Sequence, residues 1–309
     1  MSEPYPVYDV TDWFALRDEP RGVTTKDWLL PRDSGPTDPE WLWKGTPVEA
    51  TGLHRVLGHD WGERVACEVA KLLAVPAAVV ELGSLDGDRG VVCRSFASAR
   101  AGHPSLSNAS ELLPTVVAGY DQDKTGVAPG YTLDAVFDVL AESAAPAGSD
   151  PVVADGQTAF AGVLMMDALI ANQDRHHDNW GVVQAPEGTK QLAPAFDQAC
   201  CLGYQATADD KRRRIEEGRV EEWAARGRSN QFEGKPNLVE LAHEALGRVP
   251  EDGAKFWLER LESVTLEQMR IVIDRVPGDR MSQVDRTFAV EVMRVNRRRI
   301  LDGWDAPGD

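Results

Sequence analysis

The run "FAGVLMMDALIA", Phe160 to Ala171, reads as an apolar helix carrying one charge, and "NQDRHHDNWG" follows it without a break. Two aspartates, two adjacent histidines and two asparagines are thereby crowded into one short loop. The next stretch, "WGVVQAPEGTKQLAPAF", predicts a β-hairpin turning at "EGTK". It delivers Asp197, behind an aromatic residue, to a strand end. Two polar groups on one loop and a third on the neighbouring strand can converge on one cleft. Any fold this chain adopts has to accommodate that convergence.

The flanking pattern says how. The first sixty residues are rich in Trp, Pro, Gly and Asp, and brief runs such as "DWLL" and "EWLWKG" predict short strands between turns. "WGERVACEVAKLLAV" places Val65, Val69, Leu72 and Leu73 at helical spacing and stops at Pro76. "AAVVELG" and "GVVCRSF" predict two more strands around the turn "SLDGDR". From Ser110 onward the pattern is helical through "ELLPTVV" and "TLDAVFDVLAESAA". Past the hairpin, "ADDKRRRIEEGRVEEWAARG", "NLVELAHEALG", "EDGAKFWLERLESV", "TLEQMRIVIDRV" and "RTFAVEVMRVNRRRILDGW" all read as helices. The expected fold class is α+β in two lobes: a β-rich front lobe over residues 1–96 and a helical lobe over 97–309. Ligands bind in clefts between such lobes. The mixed charges of "DDKRRRIEEGRVEEW" read as a solvated helix face, and "RVNRRR" as a basic helix end suited to its dipole.

Composition limits the function classes. A net charge of -17 argues against unaided binding to nucleic acid or to an anionic membrane. No apolar run approaches the length of a membrane span, and the N-terminus lacks a signal pattern, so the expected location is cytoplasmic. The 4 cysteines form no CxxC pair and read as reduced, core-filling thiols.

A zinc site fits the polar loop poorly, because helical zinc motifs space their histidines four apart and His176 and His177 are adjacent. A His-Asp phosphohydrolase would need further ligands on separate helices, and His54 and His59 fall in a turn-rich segment. Phosphoryl transfer fits better. A kinase needs a carboxylate near the acceptor hydroxyl, an Asn five residues later for a metal ion, and a second Asp for the metal that bridges the phosphates. Asp174, Asn179 and Asp197 supply that set. Upstream, Lys44 closes the strand "EWLWK", where its ammonium can pair phosphates, and Glu63 opens the next helix, where it can hold that lysine. Gly22 lies in a Thr-containing turn able to bring backbone N–H groups near phosphates.

The double motif "NQDRHHDN" and "AFDQ", together with "WLWKG", "GERVACEVAKLLAVPAAVVEL" and "GVVCRSF", resembles the HipA-like serine/threonine kinase family over roughly residues 22–203. That resemblance implies a protein-kinase-like fold with the nucleotide in the cleft, and ATP and Mg2+ as cofactors. It implies Asp174 as the base, with His176 and Asn179 at the phosphates or metal and Phe196 and Asp197 completing that site. Lys44 would pair the phosphates, Cys93, Arg94 and Ser95 would form the hinge beneath the adenine, and Gly22, Val23, Thr24, Thr25 and Lys26 would cover the phosphates. Thr24 and Thr25 are the hydroxyls of that loop and so the candidates for autophosphorylation. Toxin members of the family begin with an additional N-terminal subdomain, for which these residues leave no room. Asp-Arg-His reverses the common kinase order His-Arg-Asp while keeping the Asp-to-Asn spacing.

The leading expectation is a kinase acting on a Ser or Thr hydroxyl of a protein, with a separate antitoxin-like chain as a possible partner. The alternatives are a small-molecule phosphotransferase on the same fold and a nucleotide-binding pseudokinase. Arg175 is expected to be structural, pairing a carboxylate. Trp180 and Phe196 are expected in the core, and His177 and Asp178 facing solvent.

Overall fold

The computed structural model describes residues 3–18, 26–35, 38–49, 56–97 and 103–304. The front half runs β1 (Val7–Asp9), β2 (Phe14–Asp18), β3 (Lys26–Leu30), β4 (Trp41–Gly45), α1 (His59–Leu73), β5 (Val80–Leu85) and β6 (Asp88–Arg94). The chain continues through β7 (Ser105–Asn108), α2 (Ala109–Leu112), α3 (Leu133–Leu140), α4 (Gly156–Leu169), β8 (Gly181–Gln184) and β9 (Lys190–Leu192). Six helices complete it: α5 (Ala208–Glu216), α6 (Val220–Ala225), α7 (Leu238–Leu246), α8 (Glu251–Ser263), α9 (Leu266–Asp274) and α10 (Gln283–Asp302). The mixed fold, a sheet at the front and helices behind, is the one the pattern predicts. Among the described residues no helix is long and apolar enough to cross a membrane.

The six front strands form one sheet in the order β1-β5-β6-β4-β3-β2, antiparallel except where β1 joins β5. Period-two alternation gives that sheet two apolar faces. Trp43 and Val92 join Val10 and Leu29 in a small core on one side, edged by Trp13 and Trp41. Val91, Cys93 and Leu42 turn to the other side, where α1 covers them and merges them with the main core. Lys44 shares that second face with Leu42, so the strand that buries its tryptophans outward must carry its ammonium inward.

Two connections place the sheet against the helices. Residues 76–78, which follow α1, pair in parallel with Ala195, through Ala78 N–H to Ala195 O at 2.9 Å and Ala195 N–H to Pro76 O at 2.8 Å. The buried Asp60 on α1 accepts from Arg280, between α9 and α10, at 3.0 Å and from Arg89 at 2.9 Å. Arg280 also donates to Gly83 O at 2.8 Å, which ties β5 to the helical half.

The helix α4 is apolar on every side because it is buried on every side, packed by α3, α7, α8, α10 and β9. Asp155 caps its N-terminus by accepting from Thr158 N–H at 2.7 Å. Gly162 permits that crowding, since a Cβ there would stand 2.4 Å from the Trp257 ring. The helix ends as Ala171 enters the left-handed region at φ 53°. The "DDKRRRIEEGRVEEW" stretch forms two helices rather than one, broken at Gly218 with φ 66°. Its charged residues are solvated except Lys211, which is buried against Asp285 at 2.6 Å.

Candidate active site

Lys44 is the centre of a buried charge cluster. Its Nζ lies 2.9 Å from Glu63 Oε1 on α1 and 3.1 Å from Asp197 Oδ1. Lys26, directly opposite Lys44 in the β3–β4 register, reaches Asp197 Oδ2 at 4.0 Å. Helix α1 can bring Glu63 this close because Gly62 has no side chain; a Cβ there would meet Ala199 O at 2.7 Å. Burial works against the Lys44 charge, but the Asp197 and Glu63 carboxylates outweigh it and hold its ammonium above the ordinary lysine range. Burial likewise works against Asp197, and Lys44 with Lys26 outweighs it, holding the carboxyl well below the usual carboxylate range. The Cys93 thiol, 3.5 Å from Glu63 Oε1, is pushed up by burial and by that carboxylate.

Asp197 adopts φ 56°, a left-handed conformation that Asp tolerates better than most residues. Ala195 is already fastened to the segment that follows α1, and this reversal two residues later turns the carboxylate to Lys44 and Lys26. Phe196 beside it packs against Phe96 at a tilt of 42°, with ring centroids 5.5 Å apart. Phe196 is half-buried, and Trp180 is in the core as expected.

The loop after α4 is organised by Arg175. Its guanidinium grips the buried Asp167 carboxylate through Nε at 2.7 Å and Nη2 at 2.8 Å. Its Nη1 donates to the carbonyls of Asn179 at 2.6 Å and Phe196 at 3.0 Å. One side chain therefore holds the two halves of the motif in register, which makes concrete the structural role expected of it. Asn172 also donates to Asp167 at 2.8 Å. Asn179 Nδ2 donates to Asp174 O at 2.8 Å, so its Oδ1 is the atom left for a ligand. His176 turns its Nδ1 to the backbone N–H of Asp178 at 3.0 Å.

His177 corrects an expectation. It is buried, not solvent-facing: Tyr120 Oη lies 2.7 Å from its Nδ1, and Tyr131 packs nearby. Burial pushes its imidazole below the ordinary histidine range. Asp178 is partly covered and accepts from Ser110 Oγ at 2.5 Å. His176, His177 and Asp178 each bring one possible ligand atom within 4.8 Å of the others, a convergence that helical spacing does not anticipate in a loop. The Tyr120 and Ser110 contacts engage His177 Nδ1 and Asp178 Oδ1.

Asp174, two residues before His176 on the same loop, lines a cavity of about 390 Å³. Gln173, Tyr204, Arg214, Asn230 and Gln231 share its wall. Gln231 Nε2 donates to Asp174 Oδ1 at 2.5 Å. Cys200, also in the wall, is pushed up to about 12 by burial and by the Asp174 carboxylate, so its thiol stays protonated.

Among the remaining expected site residues, the backbone N–H groups of Arg94 and Ser95 are both engaged, to Val79 O and Glu40 O at 2.8 Å each. Gly22, Val23, Thr24 and Thr25 lie outside the described residues. Two important residues escaped the sequence reading. Asp167 had a signal, as the lone charge in an apolar helical run. Gln231 had none, since it comes from a loop 57 residues downstream of its partner.

Asp and Asn oxygens at Asp197 and Asn179 form the kind of hard donor set that suits Mg2+. Two ammonium groups aimed at one carboxylate suit a polyphosphate. The Helicobacter pylori proinflammatory kinase CtkA superposes with a TM-score of 0.72 at 20% identity, over 96% of each chain. HipA of Shewanella oneidensis MR-1, from a complex with HipB and operator DNA, gives a TM-score of 0.56 at 13% identity, over 94% of this chain and 66% of that one. At such identities these likenesses establish the fold. No curated protein matches by sequence. The family described as HipA-like C-terminal domain matches residues 14–268, most of the sequence. The chain belongs to the HipA-like C-terminal domain family.

Proposed function

We propose that this protein is an ATP- and Mg2+-dependent kinase that phosphorylates a Ser or Thr hydroxyl of a protein. Family membership and the kinase fold support a kinase-type phosphotransferase. The observation that carries the finer reading is Asp197, held between Lys44 and Lys26, next to Phe196, which Arg175 ties to the loop of Asp174 and Asn179. Asn179 and Asp197 would hold the metal, which when bound neutralises phosphate charge. Lys44, kept in place by Glu63, and Lys26 would pair the phosphate oxygens. Asp174 accepts the proton of the acceptor hydroxyl as that oxygen bonds to the γ-phosphorus. The bond from the γ-phosphorus to its bridging oxygen breaks, and ADP leaves with that electron pair. His176 and Phe196 complete the nucleotide side, with residues 93–95 as the adenine hinge. An antitoxin-like partner chain belongs to this proposal as well, the HipA neighbour having been solved with HipB.

Purified protein with Mg2+-ATP and a Ser/Thr peptide library tests this. Transfer of labelled phosphate by the intact protein and its loss in Asp174→Asn, with nucleotide-induced thermal stabilisation retained, is the expected result. Absence of both transfer and nucleotide stabilisation in the intact protein rejects it.

The size of the cavity favours one second reading. About 390 Å³ lies within the range of small-molecule sites, so a small hydroxyl-bearing acceptor is the alternative. Phosphorylation of small molecules but not of peptides by the same protein would select it.

A further inference from the structure

The loop between α6 and α7 is laid along the polar loop in matched register. Asn230 N–H donates to Gln173 O at 2.9 Å, and its side-chain amide donates to Gln173 Oε1 at 3.2 Å. One residue further along each loop, Gln231 reaches Asp174. Two consecutive residues of one loop therefore pair with two consecutive residues of the other.

Gln231 is itself fixed from both sides. Ser229 Oγ accepts from the N–H groups of Gln231 at 3.2 Å and Phe232 at 3.0 Å, which shapes the turn. Phe232 is fully buried against Tyr131, with ring centroids 4.3 Å apart. Tyr131 Oη in turn donates to Arg175 O at 2.9 Å and accepts from Trp180 Nε1 at 2.8 Å. Glu233 N–H donates to Tyr131 O at 2.9 Å. The circuit closes: from Gln231 through Phe232 and Tyr131 to Arg175, which adjoins Asp174 in sequence. A side-chain amide at the end of so braced a loop has little freedom, and neither has the carboxylate it holds.

We infer that Gln231 is a positioning residue for Asp174. Its amide fixes Oδ1, which aims the remaining lone pairs of the carboxylate at the acceptor entering through the cavity. The inference rests on the proposed role of Asp174 as the proton acceptor. A neutral amide suits the task, since it donates to the carboxylate without offering a proton of its own. A misaimed general base loses most of its advantage, because proton transfer requires hydrogen-bond reach to the acceptor hydroxyl. The Cys200 thiol faces the same carboxylate, but it is a weaker donor.

Three substitutions separate aiming from scaffolding. Gln231→Met removes the donor at nearly constant size, Gln231→Glu opposes Asp174 with a like charge, and Gln231→Lys restores a donor. Each is assayed with Mg2+-ATP and the peptide library, with thermal stabilisation by nucleotide measured alongside. The expected order of kcat is intact protein, then Lys, then Met, then Glu. The Met variant should lie about tenfold or more below the intact protein. The KM for ATP and the stabilisation by nucleotide should stay within about twofold. Full activity in Gln231→Met overturns the inference, and so does a Met variant whose KM for ATP and nucleotide stabilisation shift together with kcat. If the intact protein neither transfers phosphate nor is stabilised by nucleotide, the kinase reading fails by itself. The crystal structure of Gln231→Met then decides: an unchanged Asp174 rotamer rejects positioning, and a displaced one sustains it.

Discussion

Lys26 and Lys44 face each other across the β3–β4 ladder, and both ammonium groups turn to the same carboxylate, Asp197. Like charges directly opposite in a sheet are unfavourable unless something of opposite sign lies between them. Asp197 meets that requirement, and a bound polyphosphate would meet it again. The pair predicts a graded response. Lys26→Ala should weaken nucleotide binding about tenfold, or ~1.4 kcal/mol. Lys44→Ala should reduce kcat/KM by on the order of 100-fold, because it also leaves buried Glu63 without its ammonium. Nucleotide titration by calorimetry and steady-state kinetics measure the two effects. Equal losses in both variants would contradict the arrangement.

The same cluster sets a pH window. Asp197 titrates below the ordinary carboxylate range, so its stabilising contribution is present above the unfolded-state value of about 3.9 and disappears as pH falls through the folded value. Lys44 is displaced upward, so its contribution is complete below about 10.4 and is lost as pH rises through its folded value. Urea denaturation of Asp197→Asn should therefore show a shallower loss of stability below about pH 4 than the intact protein. Identical acid limbs would mean that Asp197 contributes nothing to acid sensitivity.

Removing one member of the Asp167–Arg175 pair strands a buried charge. Asp167→Ala should cost about 3–5 kcal/mol, as other broken buried pairs do, and should also loosen the carbonyls of Asn179 and Phe196 that Arg175 holds. Thermal denaturation gives the stability loss. Hydrogen exchange across residues 172–180 should rise together with it.

At Gly62 the question is steric. Gly62→Ala drives a methyl group against Ala199 O, at a cost of about 1–3 kcal/mol for overpacking. If α1 relieves the clash by moving outward, Glu63 leaves Lys44 and activity falls further than stability does. Retained activity at wild-type level would show that the segment around Ala199 yields instead of the helix.

How far the sequence revealed this site depended on the range of each interaction. The spacing of Asp174 and Asn179 is local, and the hairpin that delivers Asp197 has a turn signal, so both were legible. Lys44 and Glu63 were legible as an ordered pair, since strand alternation and the helix start determine where each points. The burial of His177 was not, because its cover comes from Tyr120 and Tyr131 in a stretch with no motif. Gln231 was invisible for the same reason: a glutamine in a polar loop has no pattern, and only the packing of Phe232 on Tyr131 makes it meaningful. The break at Gly218 was written as a glycine inside a helical pattern, but nothing local said that the chain would exploit it.

Near the amino end, Tyr5 N–H donates to Arg275 O at 2.7 Å and its hydroxyl donates to Val272 O at 2.9 Å, both at the end of α9. Arg64 and Arg275 sandwich the same ring as cations, at 4.1 and 4.3 Å. Tyr5, just ahead of β1, thus has a cation partner from α1, while its two hydrogen bonds wait for the end of α9. A chain synthesised only through α8 already holds Lys26, Lys44, Glu63, Asp174, Asn179 and Asp197, yet it lacks the helix end that binds Tyr5. Vectorial folding on the ribosome would thus seat Tyr5 late, only once α9 has cleared the exit tunnel.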